Sequence, residues 1–341
     1  MTAGSDPQGG SEHPPRAPEA LLVGSLQPHA GKTSLAASLA VSLAYAGTRM
    51  LALRLVGADS TAAELDATFL RTLPFARGRG GRPVTIEQAS AAAQEQRAAS
   101  GMLVIEAEHG ADLPALAEQL NASVIVAARS ADAAALQQLG DLQQKLAGRF
   151  AGVVAVAVPP PLAEGVRAAL AASPALLLGV IPEDAMLYAP SVLEIADALE
   201  AEVILGEPEP GLTIEHLMIG PITTDPGQPY YARPRSRRAV ITRSDKTDLQ
   251  LAAMHADISC LILTGGLDPS PYTIDRAADD EITVLLTRLD TRGAVNRLED
   301  IYGSSRFEGE DKLERMRALL DEHLDWASLQ SRLSLPAATA G

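Results

Sequence analysis

The chain has 341 residues, a formal net charge of -15, and 47% hydrophobic but only 3% aromatic residues. That length suggests two or three folding units with cores of Leu, Val, Ala and Ile. The negative charge argues against nucleic acid and anionic membranes as partners, because their phosphates would be repelled.

Residues 1–19 are Gly, Pro, Ser and polar residues and are expected to form a disordered tail. They contain no basic segment followed by an apolar one, so no secretory leader is expected. No apolar run anywhere approaches membrane-spanning length. The single cysteine, Cys260, excludes a disulfide scaffold and points to a reducing, cytoplasmic setting. It sits inside an apolar run, where a buried structural thiol is the expected role.

From residue 21 an apolar run enters a turn and leaves it as an alanine-rich helical pattern, reading LLVGSLQPHAGKTS over 21–34. A strand, a loop and a helix that opens on Gly31-Lys32-Thr33 is the geometry that holds a phosphate chain. Loop and helix-terminal amides point at the anion, and the helix dipole adds to them. Pro28, His29, Ala30, Gly31, Lys32, Thr33 and Ser34 would form the cradle. Lys32 would reach the outer phosphates, and the Thr33 hydroxyl would sit on Mg2+. The strict signature wants glycine where Leu26 stands. The alternative reading is a tight strand-to-helix turn that binds nothing.

Residues 49–56 read as a buried strand with Arg54 in its apolar run. Arg54 either snorkels to water or projects toward the phosphates. Residues 62–73 are helical, and 75–83 form a basic, glycine-rich loop expected to be solvated. Residues 85–99 are an amphipathic helix. The run Gly101–Glu106 (GMLVIE) is a strand ending in a carboxylate, the position from which a phosphate-loop protein holds Mg2+ or its water. Glu106 is the candidate, with Glu108 and His109 in the loop beyond it. Strands over 124–128, 153–158 and 176–182 alternate with helices over 131–146, 162–172 and 191–199, and 202–205 is the last strand of the unit. Alternating apolar runs and helical patterns imply an α/β, doubly wound parallel sheet with its ligand at the carboxyl ends of the strands.

The run GEPEPG over 206–211 reads as a linker, after which the pattern resets. Residues 213–222 open a second, smaller α/β unit. A Pro/Gly/Tyr loop spans 223–234 and a basic stretch 233–238. Strands follow over 239–242, 260–264 and 282–287. Helices follow over 248–255, 270–278, 291–302 and 312–324, and the chain is expected to fray near its end. If the first two of these strands are neighbours, Asp245, Lys246, Thr264, Gly265 and Gly266 line one edge, with the glycine pair allowing close backbone approach. A pair of ordinary turns reads equally well there.

The first unit, on Gly24 to Ser34, Val104-Ile105-Glu106 and Gly179 to Asp184, resembles the dethiobiotin-synthetase-like branch of phosphate-loop (P-loop) proteins. In particular it is similar to the amino-terminal domain of some phosphotransacetylases. The second, on Asp245-Lys246 and Thr264-Gly265-Gly266, resembles the DRTGG domain, with Lys246 where that family usually has arginine. Expected bounds are 20–206 for the P-loop domain and 212–330 for the DRTGG domain, with 331–341 frayed. The transacetylase catalytic domain is not seen, so acetyl transfer is not expected from this polypeptide. The resemblance implies that Arg54 takes the place of a catalytic lysine. It also implies that the adenine-reading asparagine is replaced near Val156, where no amide stands.

The function expected from these readings is a regulatory protein that binds ATP with Mg2+ through Lys32, Thr33 and Glu106, its DRTGG unit sensing a small effector or contacting a protein partner. A homo-oligomer is expected, and hydrolysis, if any, would be weak. The alternatives are an ATP-dependent carboxylate-activating enzyme of the dethiobiotin-synthetase kind, with Lys32, Arg54 and Glu106 catalytic, or a degenerate scaffold that binds no ligand.

Overall fold

The computed structural model describes residues 20–57, 60–76, 81–129, 131–173, 175–208, 211–220, 237–255, 257–302 and 305–333. The expected tail over 1–19, much of the loops over 75–83 and 223–234, and the end beyond 333 lie outside the described residues.

The first unit alternates strand and helix. Its strands are β1 (Ala20–Ser25), β2 (Arg49–Arg54), β3 (Gly101–Glu106), β4 (Ala122–Ala128), β5 (Phe150–Val158) and β6 (Leu177–Pro182). Helix α1 (Lys32–Tyr45) follows β1, and α2 (Ser60–Thr72) and α3 (Ile86–Ala98) follow β2. They are succeeded by α4 (Leu113–Gln119), α5 (Ala133–Leu146), α6 (Ala163–Ala171) and the single turn α7 (Ala185–Tyr188). The strands form one parallel sheet in the order β2-β3-β1-β4-β5-β6. Both faces are covered, which is why the strands read as unbroken apolar runs rather than alternating ones. Leu21 and Val23 pack into one core layer, and Ala20 and Leu22 into the other. β1 lies between β3 and β4, so its carboxyl end opens where the strand order switches, the usual place for a ligand crevice.

The second unit contains α8 (Val192–Ala198), β7 (Glu202–Leu205), β8 (His216–Ile219), β9 (Arg238–Arg243) and α9 (Thr247–Met254). β10 (Cys260–Thr264), α10 (Pro271–Asp279), β11 (Thr283–Leu286) and α11 (Thr291–Ile301) complete it. Its sheet runs β7-β11-β10-β9-β8, parallel except for β7, which pairs antiparallel with β11. Here the structure differs from the boundary read at 206–211. β7 does not close the first sheet, because its backbone partners are Val284, Leu285 and Leu286 of β11. Val192, Ile195 and Leu199 of the α8 region likewise pack with Ile241, Ile262 and Leu298 of the second core.

The last two helices, α12 (Glu310–His323) and α13 (Trp326–Leu333), depart from the expected division in the other direction. They return to the first unit. Leu313, Met316, Leu319 and Leu320 of α12 join the core layer that holds Leu35, Leu39 and Leu43 of α1. Gly179 of β6 makes room for this return: a Cβ there would stand 2.6 Å from the His323 carbonyl oxygen. The Asp325 amide donates to the Leu178 carbonyl at 2.7 Å. Helix α1 is therefore sandwiched between sheet and helix, which accounts for its being buried almost all round.

Among the described residues no helix is long and apolar enough to cross a membrane. Cys260 is fully buried, and burial pushes its thiol up to about 12, in keeping with a packing role.

Candidate functional site

A cleft of about 400 Å3 opens at the carboxyl ends of β1, β2, β3, β5 and β6. All seven residues of the expected cradle, Pro28 through Ser34, line it, as do Arg54, Glu106, Glu108 and His109. The turn depends on two left-handed residues, His29 at φ 52° and Gly31 at φ 75°. Gly31 is the residue just before α1, and a Cβ there would lie 2.9 Å from Val156 Cγ1. Only glycine accepts both the dihedral and the contact. Leu26, the departure from the strict signature, donates its amide to the Ala127 carbonyl at 3.2 Å and packs against the core, so strand pairing closes the start of the loop.

Lys32 opens α1 and reaches back to donate to Ser25 Oγ at 3.3 Å. Burial lowers its pKa, with Glu106 opposing the shift and Arg54 adding to it. An ammonium in that state is under-compensated and gains from an anion beside it. Thr33 Oγ1 donates to Glu106 Oε1 at 2.9 Å. Glu106 is 2% exposed, and its Oε2 is buried with no hydrogen-bond partner. Burial, and then the charge of Asp66, push its carboxyl up to about 7, against the pull of Arg54, Thr33 and Lys32. A buried carboxylate oxygen without a donor is the environment a cation would relieve.

Arg54 does not snorkel to water. It is 5% exposed, stands in register with Glu106 across the β2–β3 pair, and donates to the Leu55 carbonyl at 2.9 Å. Its Nε lies 3.5 Å from Asp66 Oδ2 and 3.8 Å from Glu106 Oε1. Asp66, on α2, carries a carboxyl raised by burial and also faces Arg306 Nη2 at 3.8 Å. Sequence reading had assigned no role to Asp66 or Arg306. A signal for Asp66 was present: it falls three residues after Ala63 and four before Leu70, on the apolar stripe that α2 buries. Arg306 carried no local signal, since only the return of α12 brings it here.

Val156, Ala157, Pro182, Asp184, Leu187, Tyr188 and Arg129 also line the cleft. β5 bends at Ala157, φ 59°, where its register to β6 shifts. Arg129 donates to Tyr188 Oη at 3.2 Å, and Asp184 is held by Arg315 Nε at 2.8 Å. Among the described residues that line the cleft none is Asn or Gln.

The second-site candidates are partly brought together. β9 and β10 are neighbours, and Asp245, Thr264 and Gly265 line a shallow cleft, whereas Lys246 and Gly266 are not in its lining. Gly265 and Gly266 both have positive φ, 94° and 68°. Asp245 is held by Arg243 through two contacts of 2.6 and 2.8 Å. Thr264 Oγ1 lies 3.0 Å from Thr291 Oγ1. Arg243, Asp290, Thr291 and Arg292 also line this cleft and had not been singled out.

Comparison with known proteins identifies the second unit. The DRTGG domain model matches residues 194–301, a range that takes in β7 and most of α8, in agreement with their place in the second sheet and core. The N-terminal half is similar to a phosphate acetyltransferase of Nitratidesulfovibrio vulgaris, 26% identical over 168 residues. The match covers 46% of this chain and 23% of that protein, so the chain spans about a quarter of that relative. Among solved structures, the CBS and DRTGG domains of the regulatory region of a Clostridium perfringens pyrophosphatase, complexed with its activator diadenosine tetraphosphate, match at 20% identity. That match covers 41% of this chain and 64% of that one, with a TM-score of 0.31. The septum site-determining protein MinD of Pyrococcus horikoshii, complexed with Mg-ADP, matches at 17% identity over 49% of this chain and 82% of that one, TM-score 0.35.

Proposed function

We propose that the chain is a nucleotide-binding regulatory protein, in which a P-loop cleft takes ATP with Mg2+ and is coupled to a DRTGG unit that responds to a small effector or a protein partner. One observation carries the reading. Lys32, the Thr33 hydroxyl and the partnerless Glu106 oxygen converge at one end of a cleft whose rim is the N-terminus of α1. Thr33 and Glu106 would hold the metal, which supplies charge neutralisation for the phosphates. No cluster of three or more His, Cys, Asp or Glu suited to a metal stands among the described residues. That agrees with Mg2+, which usually takes one or two protein carboxylates and completes its shell with phosphates and water. The part of the cleft lined by Val156, Leu187 and Tyr188 would receive the base without an amide to read it, so selectivity between bases would be weak.

A second reading, an ATP-dependent carboxylate-activating enzyme of the dethiobiotin-synthetase type, is favoured by one feature. A groove of about 490 Å3, lined by Val56, Thr85, Ile86 and Asp112, shares Glu108 with the phosphate cleft and could hold a second substrate.

Titration of the full chain with ATP, with and without Mg2+, separates these readings. Wild type should bind in a Mg2+-dependent way, and Lys32→Ala should weaken binding by about a hundredfold, the loss of a charge-assisted phosphate contact. Absence of binding by wild type would leave the scaffold. Phosphate release that needs an added carboxylate would identify the enzyme.

A further inference from the structure

Arg306 belongs to neither sheet. It lies in the segment between α11 of the DRTGG unit and α12, yet its side chain lines the phosphate cleft. It stands at the end of the cleft where Glu106 is, because the carboxylate it faces, Asp66 at 3.8 Å, is 3.5 Å from the Arg54 Nε that itself lies 3.8 Å from Glu106 Oε1. The head of Arg306 is loosely held, with its side chain 31% exposed. Its backbone is not. The Arg306 amide donates to Glu194 Oε1 at 2.9 Å, and its carbonyl accepts from Lys312 Nζ at 2.6 Å. Lys312 is fully buried and also donates to Ser305 Oγ at 2.7 Å. Next door, Phe307 meets Phe69 of α2 edge to face, ring centroids 5.5 Å apart.

Glu194 is the point where this segment enters the DRTGG unit. Its Oε2 accepts the Ser191 amide at 2.8 Å, closing the capping box of α8. Through Val192 and Ile195 that helix packs into the second core. The Arg306 amide and the cap of α8 therefore share one carboxylate. Ser305, Arg306, Lys312 and Glu194 thus form one part-buried hydrogen-bonded network that runs from the cleft to the cap of α8.

We propose that Arg306 is a ligand residue of the cleft, leaving Asp66 to contact the outermost phosphate of a nucleoside triphosphate, and that this movement carries the triphosphate state to α8 of the DRTGG unit through Glu194. The inference rests on the nucleotide reading of the cleft. A diphosphate lacks the outer group and leaves Arg306 with Asp66, so the device distinguishes triphosphate from diphosphate.

The test is calorimetric titration of the full chain, wild type, Arg306→Ala and Arg306→Lys, with MgATP and with MgADP. Amide hydrogen exchange is followed over 191–199 and 305–312. Arg306→Ala should lose about ten- to hundredfold in MgATP affinity, the loss of one charge-assisted hydrogen bond, and stay within about twofold for MgADP. Arg306→Lys should fall between the two, since it keeps the charge and loses the fork. MgATP, and not MgADP, should change exchange over 191–199 in wild type, and Arg306→Ala should abolish that change. Retained MgADP binding shows that a variant is folded. Equal loss for both nucleotides, no loss for either, or no exchange response in wild type overturns the proposal. Wild type that binds neither nucleotide overturns the cleft reading as well, whereas wild type that binds both while Arg306→Ala is unchanged overturns the role of Arg306 alone.

Discussion

A fragment cut where the sequence suggests a boundary, residues 20–206, should fail to fold. In the full chain Leu313, Met316, Leu319, Leu320, Leu324, Leu329 and Leu333 are all within 8% of full burial against the first unit. At about 1.5–3 kcal/mol for each side chain, their removal forfeits about 10–20 kcal/mol as an upper limit. That is comparable to the roughly 5–15 kcal/mol by which a folded domain is stable. The loss falls on α1, whose outer face would meet water, and α1 carries Lys32 and Thr33 at its first turn. The fragment should therefore show no cooperative melt by circular dichroism and no nucleotide binding. A peptide spanning 305–333, added in trans, should restore both. The one tryptophan of the chain, Trp326, packs partly buried against this same core, so its fluorescence reports docking of the peptide. A fragment 20–206 that melts cooperatively at the midpoint of the full chain would refute the argument that α12 and α13 complete this core.

Two further outcomes follow from the cleft. Gly31→Ala forces a side chain onto φ 75° and against Val156 Cγ1, and should cost about 1–2 kcal/mol in thermal unfolding while abolishing nucleotide binding; a variant that binds ATP as wild type does would mean the turn has slack. Glu106, raised from 4.5 to about 7 by burial, keeps in the folded state a proton that the unfolded chain has lost. Its stabilising effect is full below 4.5 and is lost as pH climbs through about 7, by at most roughly 3 kcal/mol. Asp66 shifts in the same direction. Melting midpoints of the ligand-free protein should fall across that window, and Glu106→Gln should flatten the fall; a midpoint that rises would reverse the sign assigned to the burial.

The parallel sheet of the first unit was legible because every strand is buried on both faces and so reads as an unbroken apolar run. The turn before α1 was legible for a related reason: Gly31, Lys32 and Thr33 are placed by backbone geometry and a helix terminus, which are local in sequence. The place of Glu106 at the end of β3 was legible because a strand end is also a local feature. What escaped was whatever depended on long-range return. β7 has the composition of any short strand, and nothing in Glu202–Leu205 states which sheet will take it. Its antiparallel pairing with β11 is decided more than seventy residues away, by the edge left open beside Val284. The linker-like run after it falls between β7 and β8 of one sheet, since Pro and Gly signal a break in regular structure and not the boundary of a core. Asp66 and Arg306 escaped for the same reason, one on a helix face that the cleft borrows and one on a segment delivered by a distant helix.

One feature of α1 could have predicted the misplaced boundary. A helix at the surface of a parallel sheet shows an apolar face and a polar one. Residues 34–43 of α1 offer only Ser, Leu, Ala and Val on every side, with no charge after Lys32. Such a helix needs a second cover, and the helices around the first sheet are taken up by strands, α2 by β2, α3 by β3, α4 by β4, α5 by β5 and α6 by β6. The cover had to come from beyond the DRTGG domain, where the pattern over 312–324 presents Leu313, Met316 and Leu320 on one stripe. The consequence is mechanical. Because α12 rests on the helix that opens at Lys32, and is tied through Lys312 and Ser305 to the residue that faces Asp66, the cleft and the chain that leaves the DRTGG unit are held by one set of contacts.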